Sequence, residues 1–143
     1  MGCKRSNNSV KKIMLLFLTI MALTGCQTTQ DLPEEVPTTM LNQQLQTDDY
    51  ILIDVRTSEE INEFRVSHPN YRALDFYDDS FEQRLLELDK DETYIIMCNS
   101  GRRSAITQEI MNKHGYTTTN VAGGIQDWMQ QEFPTIEDSN MCF

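Results

Sequence analysis

Residues 93–104 have the sequence TYIIMCNSGRRS, and this stretch decides the fold class. Its first five residues form a compact apolar run with β-branched side chains, which is typical of a buried strand. From 104 to 113 apolar residues recur at helical spacing, and Gly115 is placed to end the helix. Cys98 is therefore predicted to lie in a loop between a buried strand and a helix.

The loop that holds Cys98 has the features of an anion-binding turn. A tight turn between a strand and a helix directs successive backbone N–H groups inward, and the helix N-terminus adds a partial positive charge. Gly101 allows backbone conformations that a Cβ atom would forbid, while Arg102 and Arg103 add two positive charges. These influences favour the thiolate and lower the pKa of Cys98 below the free value of about 8.5. Cys98 is therefore predicted to be a nucleophile at neutral pH.

Strands and helices alternate on both sides of this loop. The sequence predicts strands at 50–55, 73–76, 93–97 and 116–121. It predicts helices at 40–45, after Thr57 or Ser58, after Ser80, at 104–113 and at 125–131. Because such alternation gives a parallel sheet, the predicted fold class is α/β, with about five parallel strands flanked by helices on both faces. Chemistry in such folds is carried by loops at the carboxyl ends of the strands, and Cys98 lies in one.

Three separate motifs resemble the signature segments of one family. The Cys98–Ser104 loop resembles the Cys-x-x-Gly-x-Arg-Ser active-site loop of rhodanese sulfurtransferases. Asp54-Val55-Arg56 resembles the family's Asp-Val-Arg signature, and 122–125 with Trp128 resembles its Gly-Gly-x-x-x-Trp segment. We interpret these glycines and the tryptophan as turn and packing residues. The motifs span residues 50–134, and their order and spacing identify the chain as a member of the rhodanese family.

The resemblance implies a two-step transfer of sulfur that needs no cofactor. Cys98 would attack the outer sulfur of a small anionic donor such as thiosulfate and release sulfite. It would then carry the sulfur as a persulfide until cyanide or a thiol accepts it. Arg102 would meet the anionic donor, and Arg103 would brace the loop. The predicted substrate-binding loop is completed by Asn99, Ser100, Gly101 and Ser104.

One stretch departs from the family pattern. Residues 67–73 have the sequence SHPNYRA, where the family usually has Gly-His-Ile-x-Gly-Ala. His68 takes the equivalent position, and we interpret it as structural because a Cys98 thiolate needs no general base. Asp54 and Arg56 are likewise interpreted as a structural pair.

Two other functions remain open for the same fold. Phosphatase or arsenate-reductase chemistry uses a loop of Cys, five residues and Arg. Here Ser104 stands at that place, and the arginine falls one position earlier at Arg103. A non-catalytic binding module is the other alternative, although such domains commonly lack the cysteine that is present at position 98. No cluster of His, Cys and carboxylate residues has the spacing of a metal site.

The N-terminus has the three parts of a bacterial lipoprotein leader. Basic residues precede an apolar run at 13–23 that is too short to span a bilayer. Leu23-Thr24-Gly25-Cys26 then resembles a lipobox. The resemblance implies cleavage before Cys26, acylation of that residue, export, and attachment to a membrane by the lipid anchor. Gln27 lacks the aspartate associated with inner-membrane retention, which is compatible with the periplasmic side of the outer membrane in a two-membrane cell.

The predicted organisation is one domain with a leader and a tail. A signal peptide at 1–25 precedes a polar linker at 26–39, a rhodanese-like domain at 40–134 and a C-terminal tail at 135–143. Four of the 12 basic residues but none of the 22 acidic residues lie in the first 25, so the mature chain is more acidic than the full chain, whose net charge is −10. This charge argues against a nucleic-acid partner. Cys142 is interpreted as a passive thiol.

Overall fold

A computed structural model describes residues 33–45 and 49–137. The predicted signal peptide, the predicted lipid site Cys26 and the tail residue Cys142 lie outside these ranges. Among the helices within them, none is long and apolar enough to cross a membrane.

Strands and helices alternate along the described chain, as the sequence predicts. The strands are β1 (Glu35–Pro37), β2 (Ile51–Asp54), β3 (Tyr71–Ala73), β4 (Thr93–Met97) and β5 (Thr117–Ala122). The helices are α1 (Thr38–Gln44), α2 (Ser58–Glu63), α3 (Phe81–Leu86), α4 (Arg102–Lys113) and α5 (Gly124–Gln130). The predicted α/β fold class is confirmed.

The strands of the described ranges form one five-stranded parallel sheet in the order β1-β5-β4-β2-β3. β4 is the central strand and pairs with β5 on one side and with β2 on the other. Asp54 lies opposite Met97 in the register, so β2 and β4 end at the same level. The loops after these two strands therefore meet at the carboxyl edge of the sheet, where folds of this class place their ligand sites.

Side chains alternate between the two faces of the sheet, and helices cover each face. The core under α3 and α4 includes Ile53, Leu85, Ile96 and Met111. The core under α1 and α5 includes Leu41, Leu52, Ile95 and Trp128. Cys98 belongs to the first of these clusters. The side chain of the predicted nucleophile therefore lies inside the protein, in the core under α3 and α4 and at the carboxyl edge of the sheet.

The predicted linker is wrong at its C-terminal end. Glu35–Pro37 forms β1, an edge strand that pairs in parallel with residues 120–122 of β5. Val36 is 2% exposed, and Thr38, which also falls within the predicted linker, begins α1. One apolar residue between a glutamate and a proline has no strand periodicity, and proline is tolerated only at a sheet edge. β1 therefore cannot be recognised in the sequence and is identified only by its pairing with β5 in the structure.

Three smaller predictions are also corrected by tertiary contacts. β3 lies at Tyr71–Ala73 instead of 73–76, because its pairing with β2 sets its position. The Ser80 side chain does not cap α3, since its hydroxyl donates to Asp78 Oδ1 at 2.7 Å. Ile136, in the predicted tail, forms an antiparallel bridge with Arg65.

Candidate active site

The turn from β4 into α4 forms the Cys98 loop. Cys98 directly follows β4, and Gly101 is the N-cap of α4 with a φ of 91°. This left-handed conformation favours glycine. A Cβ atom at Gly101 would also come within 3.3 Å of the backbone nitrogen of Gly123. Glycine at position 101 therefore permits both the sharp turn and the close approach of the loop to the chain that follows β5.

Two donors within the loop point at the sulfur atom of Cys98. The backbone N–H of Gly101 donates to Cys98 Sγ at 3.2 Å, and the Ser104 hydroxyl donates to it at 3.3 Å. The same hydroxyl lies 3.0 Å from the carbonyl oxygen of Gly101. Cys98 is a free thiol and is only 1% exposed. The loop therefore holds a nearly enclosed sulfur atom in contact with hydrogen-bond donors.

These donors decide the protonation of the thiol. Burial of Cys98 raises its pKa, because a thiolate loses solvation inside the protein. Hydrogen bonds from the Ser104 hydroxyl and from the backbone amides of Ser104, Ser100 and Gly101 lower it. The net result is a pKa below the usual value for cysteine. The geometry therefore favours the thiolate, which is the nucleophilic form.

A second segment, the start of α5, supports the Cys98 loop through backbone contacts. The N-terminus of α5 donates two backbone hydrogen bonds to it, from Ile125 N to Cys98 O at 2.9 Å and from Gln126 N to Asn99 O at 3.0 Å. Gly124, at the start of α5, has a φ of 56°, and a Cβ atom there would overlap the carbonyl oxygen of Cys98. The Gly-Gly motif thus contacts the Cys98 loop directly. Its interpretation as turn and packing residues did not include this contact.

Arg103 connects the loop to α2. Its Nη1 and Nη2 donate to the two carboxylate oxygens of Glu60 at 2.8 and 2.7 Å. The hydrogen bonds from Arg103 lower the pKa of Glu60 to about 2 against the opposing effect of burial. The sequence does not reveal that Glu60 is the partner of Arg103. The local pattern Thr57-x-x-Glu60 indicates only the capping box that the structure contains at α2, and not a contact with a residue 43 positions away.

The outer rim of the loop is formed by polar and aromatic side chains. Ser100 and Arg102 are exposed, and Asn99 is half-buried. Tyr77 is 69% exposed, and its ring centroid lies 5.7 Å from Arg103 Cζ. Tyr77 lies in the turn after β3, where no sequence motif indicates that it belongs to the site.

A buried ion pair fixes the neighbouring loop after β2. Arg56 Nη2 lies 2.8 Å from Asp54 Oδ2, and both side chains are 1% exposed. The guanidinium also donates to the carbonyl oxygens of Glu60 and Phe64, and the Tyr71 hydroxyl donates to Asp54 Oδ2. Such hydrogen bonds are what make a buried charge pair tolerable. The pair therefore has a structural role, and it positions the backbone of α2, which carries Glu60.

His68 packs in the segment before β3. Its ring stacks on Tyr50 with the centroids 4.5 Å apart, and its Nδ1 accepts a hydrogen bond from the backbone N–H of Asn70 at 3.2 Å. At 6% exposure it is part of the packed interior, in agreement with its structural interpretation. Over the two described ranges, no group of three or more His, Cys, Asp or Glu side chains is arranged to hold a metal ion.

Comparison with known proteins agrees with this geometry. A family model described as a rhodanese-like domain matches residues 38–131. The chain belongs to the rhodanese-like domain family. The matched range contains the Asp54 and Cys98 motifs and the Gly-Gly motif with Trp128. The three motifs therefore lie within one family domain.

Two relatives of this rhodanese-like chain are named as sulfurtransferases. It is 30% identical over 102 residues to YtwF of Bacillus subtilis, provisionally named a sulfurtransferase, covering 71% of this chain and 95% of that protein. It is 44% identical over 39 residues to the thiosulfate sulfurtransferase PspE of Escherichia coli, covering 27% of this chain and 38% of that one. The crystal structure of a rhodanese-like domain protein from Staphylococcus aureus superposes with a TM-score of 0.59 at 30% identity, covering 67% of this chain and 91% of that one.

Proposed function

We propose that this rhodanese-like protein is a sulfurtransferase that carries sulfane sulfur as a persulfide on Cys98. The observation that supports this most is the environment of Cys98 Sγ. The sulfur atom is enclosed and receives hydrogen bonds from Gly101 N and Ser104 Oγ. Donors fixed around one sulfur atom stabilise the thiolate before it reacts and again when the carried sulfur departs.

In the first step the Cys98 thiolate attacks the outer sulfur of a thiosulfate-like donor. A new S–S bond forms at Cys98 Sγ, the S–S bond of the donor breaks, and its electron pair leaves with sulfite. Arg102 is exposed at the rim, where its charge attracts an anionic donor. The similarity to a thiosulfate sulfurtransferase over 39 residues supports thiosulfate as the donor.

In the second step cyanide or a thiol removes the outer sulfur. A nucleophile that attacked Sγ itself would have to approach in line, from the side opposite the outer sulfur. That side is occupied by the protein core, since Cys98 is 1% exposed and packs in the cluster under α3 and α4. The acceptor therefore attacks the outer sulfur, the bond to Sγ breaks, and its electron pair returns to Cys98 as the thiolate.

Two features favour sulfur transfer over phosphate-ester or arsenate chemistry at the same cysteine. Ser104 stands where the phosphatase-type loop has its arginine. Arg103, one position earlier, donates from both terminal nitrogens to Glu60 and so is already committed to another anion. A phosphoryl transition state needs such a group directed at its own oxygens.

Two assays decide between these functions. We expect the purified protein to form thiocyanate from thiosulfate and cyanide, to lose this activity in Cys98→Ser, and to release negligible phosphate from an aryl phosphate. Phosphate release with negligible thiocyanate would assign the site to phosphoryl chemistry. If the protein shows neither activity and no donor loads sulfur onto Cys98, the non-catalytic binding module is the function that remains.

We further propose that the protein is exported and anchored to a membrane by a lipid on Cys26. This proposal rests on the lipobox-like sequence Leu23-Thr24-Gly25-Cys26, which follows an apolar run too short to span a bilayer. Cells fed a clickable fatty acid should label the wild-type protein, and Cys26→Ser should abolish the label and release the protein from membranes. Absence of label on the wild type would contradict the anchor.

A further inference from the structure

Tyr77 presents its ring to solvent at the rim of the Cys98 loop. At 69% exposure it is the most exposed of the large apolar side chains in the described ranges, the next being Met129 at 47%. Its neighbour Phe76 instead packs on Phe81 with the ring centroids 5.2 Å apart. An aromatic ring left in water contributes little to folding, so core packing does not account for the position of Tyr77.

The structure holds this ring in place from two sides. The backbone N–H of Tyr77 donates to Asp75 Oδ1 at 2.9 Å, which fixes the turn, and Phe76 meets the Tyr77 ring edge-on at 5.4 Å. Arg103 lies 5.7 Å from the ring centroid and is itself fixed by Glu60. A ring that is already positioned loses little conformational entropy when it binds a partner.

The ring is linked to the sulfur of Cys98 through two consecutive residues, Arg103 and Ser104. Arg103, which it contacts, directly precedes Ser104, and the Ser104 hydroxyl donates to Cys98 Sγ. Because Cys98 is only 1% exposed, there is no room beside it for more than the sulfur atom of an acceptor, and the atoms attached to that sulfur must remain at the rim. Tyr77, beside Arg103, and the exposed Arg102 are the side chains at this rim.

We propose that Tyr77 is a specificity residue for the acceptor, and that its ring packs against the peptide chain beside an acceptor thiol. The inference rests on the proposed sulfurtransferase function and concerns its second step. The acceptor thiolate forms a bond to the outer sulfur and the bond to Cys98 Sγ breaks. The electron pair stays on Cys98, and the acceptor leaves as a persulfide. Cyanide takes the same sulfur but has no atoms beyond its own two to reach the ring.

The test compares acceptors of increasing size in the second step alone. Purified full-length protein is loaded with thiosulfate, freed of excess donor, and mixed with cyanide, with 2-mercaptoethanol, or with an acetylated and amidated peptide that has one central cysteine. The variants are Tyr77→Ala and Tyr77→Phe, with Met40→Ala on α1 as a control at another exposed apolar residue. Each acceptor is compared with itself across variants, so the intrinsic reactivity of its thiol cancels.

Tyr77→Ala is expected to lower the second-order rate constant for the peptide about three- to tenfold, while those for cyanide and 2-mercaptoethanol stay within about twofold. Tyr77→Phe and Met40→Ala should match the wild type, because Phe keeps the ring and Met40 is elsewhere. An unchanged peptide rate in Tyr77→Ala would overturn the inference. An equal loss with all three acceptors would also overturn it, since it would mean that the substitution disturbs Arg103. Wild-type protein that takes up no sulfur would instead refute the proposed function.

Discussion

The Cys98 loop is held at two places by different kinds of contact. On the α5 side, backbone packs on backbone: Ile125 and Gln126 donate to the loop carbonyls, and Gly124 leaves no space for a side chain. On the α2 side, Arg103 and Glu60 meet through charged groups that solvent still reaches, with side chains 14% and 31% exposed. Backbone atoms have no alternative rotamer, whereas two long side chains can adjust.

This difference assigns a separate task to each support. The backbone contact fixes the position of the Cys98 and Asn99 carbonyls, and with them the direction of the N–H groups that face Sγ. The charged pair ties the first turn of α4 to α2 and depends on ionisation. Substitutions at the first support should therefore cost folding free energy at any pH, and those at the second should have a cost that varies with pH.

The largest effect is expected at Gly124. A Cβ atom there would overlap the Cys98 carbonyl oxygen in addition to straining a positive φ, so Gly124→Ala should lower the free energy of unfolding by about 3 kcal/mol or more. Gly115→Ala is the matched control, because Gly115 has a φ of 84° and nothing within 4 Å of a new Cβ atom. It should cost only about 1 kcal/mol. Urea unfolding followed by the fluorescence of Trp128 measures the free energy of unfolding of both variants. Equal losses in Gly124→Ala and Gly115→Ala would mean that the close backbone contact at Gly124 does not stabilise the loop.

A smaller and pH-dependent effect is expected at Glu60. Its pKa in the folded protein is about 2, below the ordinary 4.5, so its contribution is complete above pH 4.5 and is lost as the pH falls toward 2. Glu60→Gln should therefore lower the free energy of unfolding by about 1 kcal/mol at pH 7, with allowance for solvent screening of a partly exposed pair. The difference from the wild type should shrink between pH 5 and pH 3. A difference that is constant over this range would mean that ionisation of Glu60 does not contribute.

The smallest effect is expected at Arg102, which lies next to Arg103 but belongs to neither support. Because it is exposed, Arg102→Ala should leave stability nearly unchanged and raise the KM for thiosulfate about two- to fivefold at low salt, with a smaller rise at high salt. Lys113→Ala, at the other end of α4, removes the same charge far along the helix and should have little effect. A salt-independent fall in kcat for Arg102→Ala would show that it acts on the chemistry and not on donor capture.

The parts of the site that are local in sequence could be predicted from it. The Cys98–Ser104 loop could be recognised because a buried strand, a glycine and a helix start follow each other without a gap. Glu60 could not, since its partner is 43 positions away and the residue also satisfies a local capping box. The contact of Gly124 with the loop likewise depends on β4 and β5 lying side by side.

The same limit explains the errors in the fold. β2 and β4 are buried on both faces and therefore appear as apolar runs. β1 has only Val36 as an apolar residue, and its strand conformation depends on pairing with β5. Tyr77 could not be predicted for a related reason, because only the folded chain brings the turn after β3 to Arg103.

The central claim, that Cys98 carries the sulfur, is tested most directly by the intact mass of the purified protein after incubation with thiosulfate. We expect the mass to rise by one sulfur atom in the wild type and in Cys142→Ser, to return to its original value after cyanide is added, and not to rise in Cys98→Ser. A sulfur adduct that persists in Cys98→Ser, or a wild-type protein that gains no sulfur, would contradict the account.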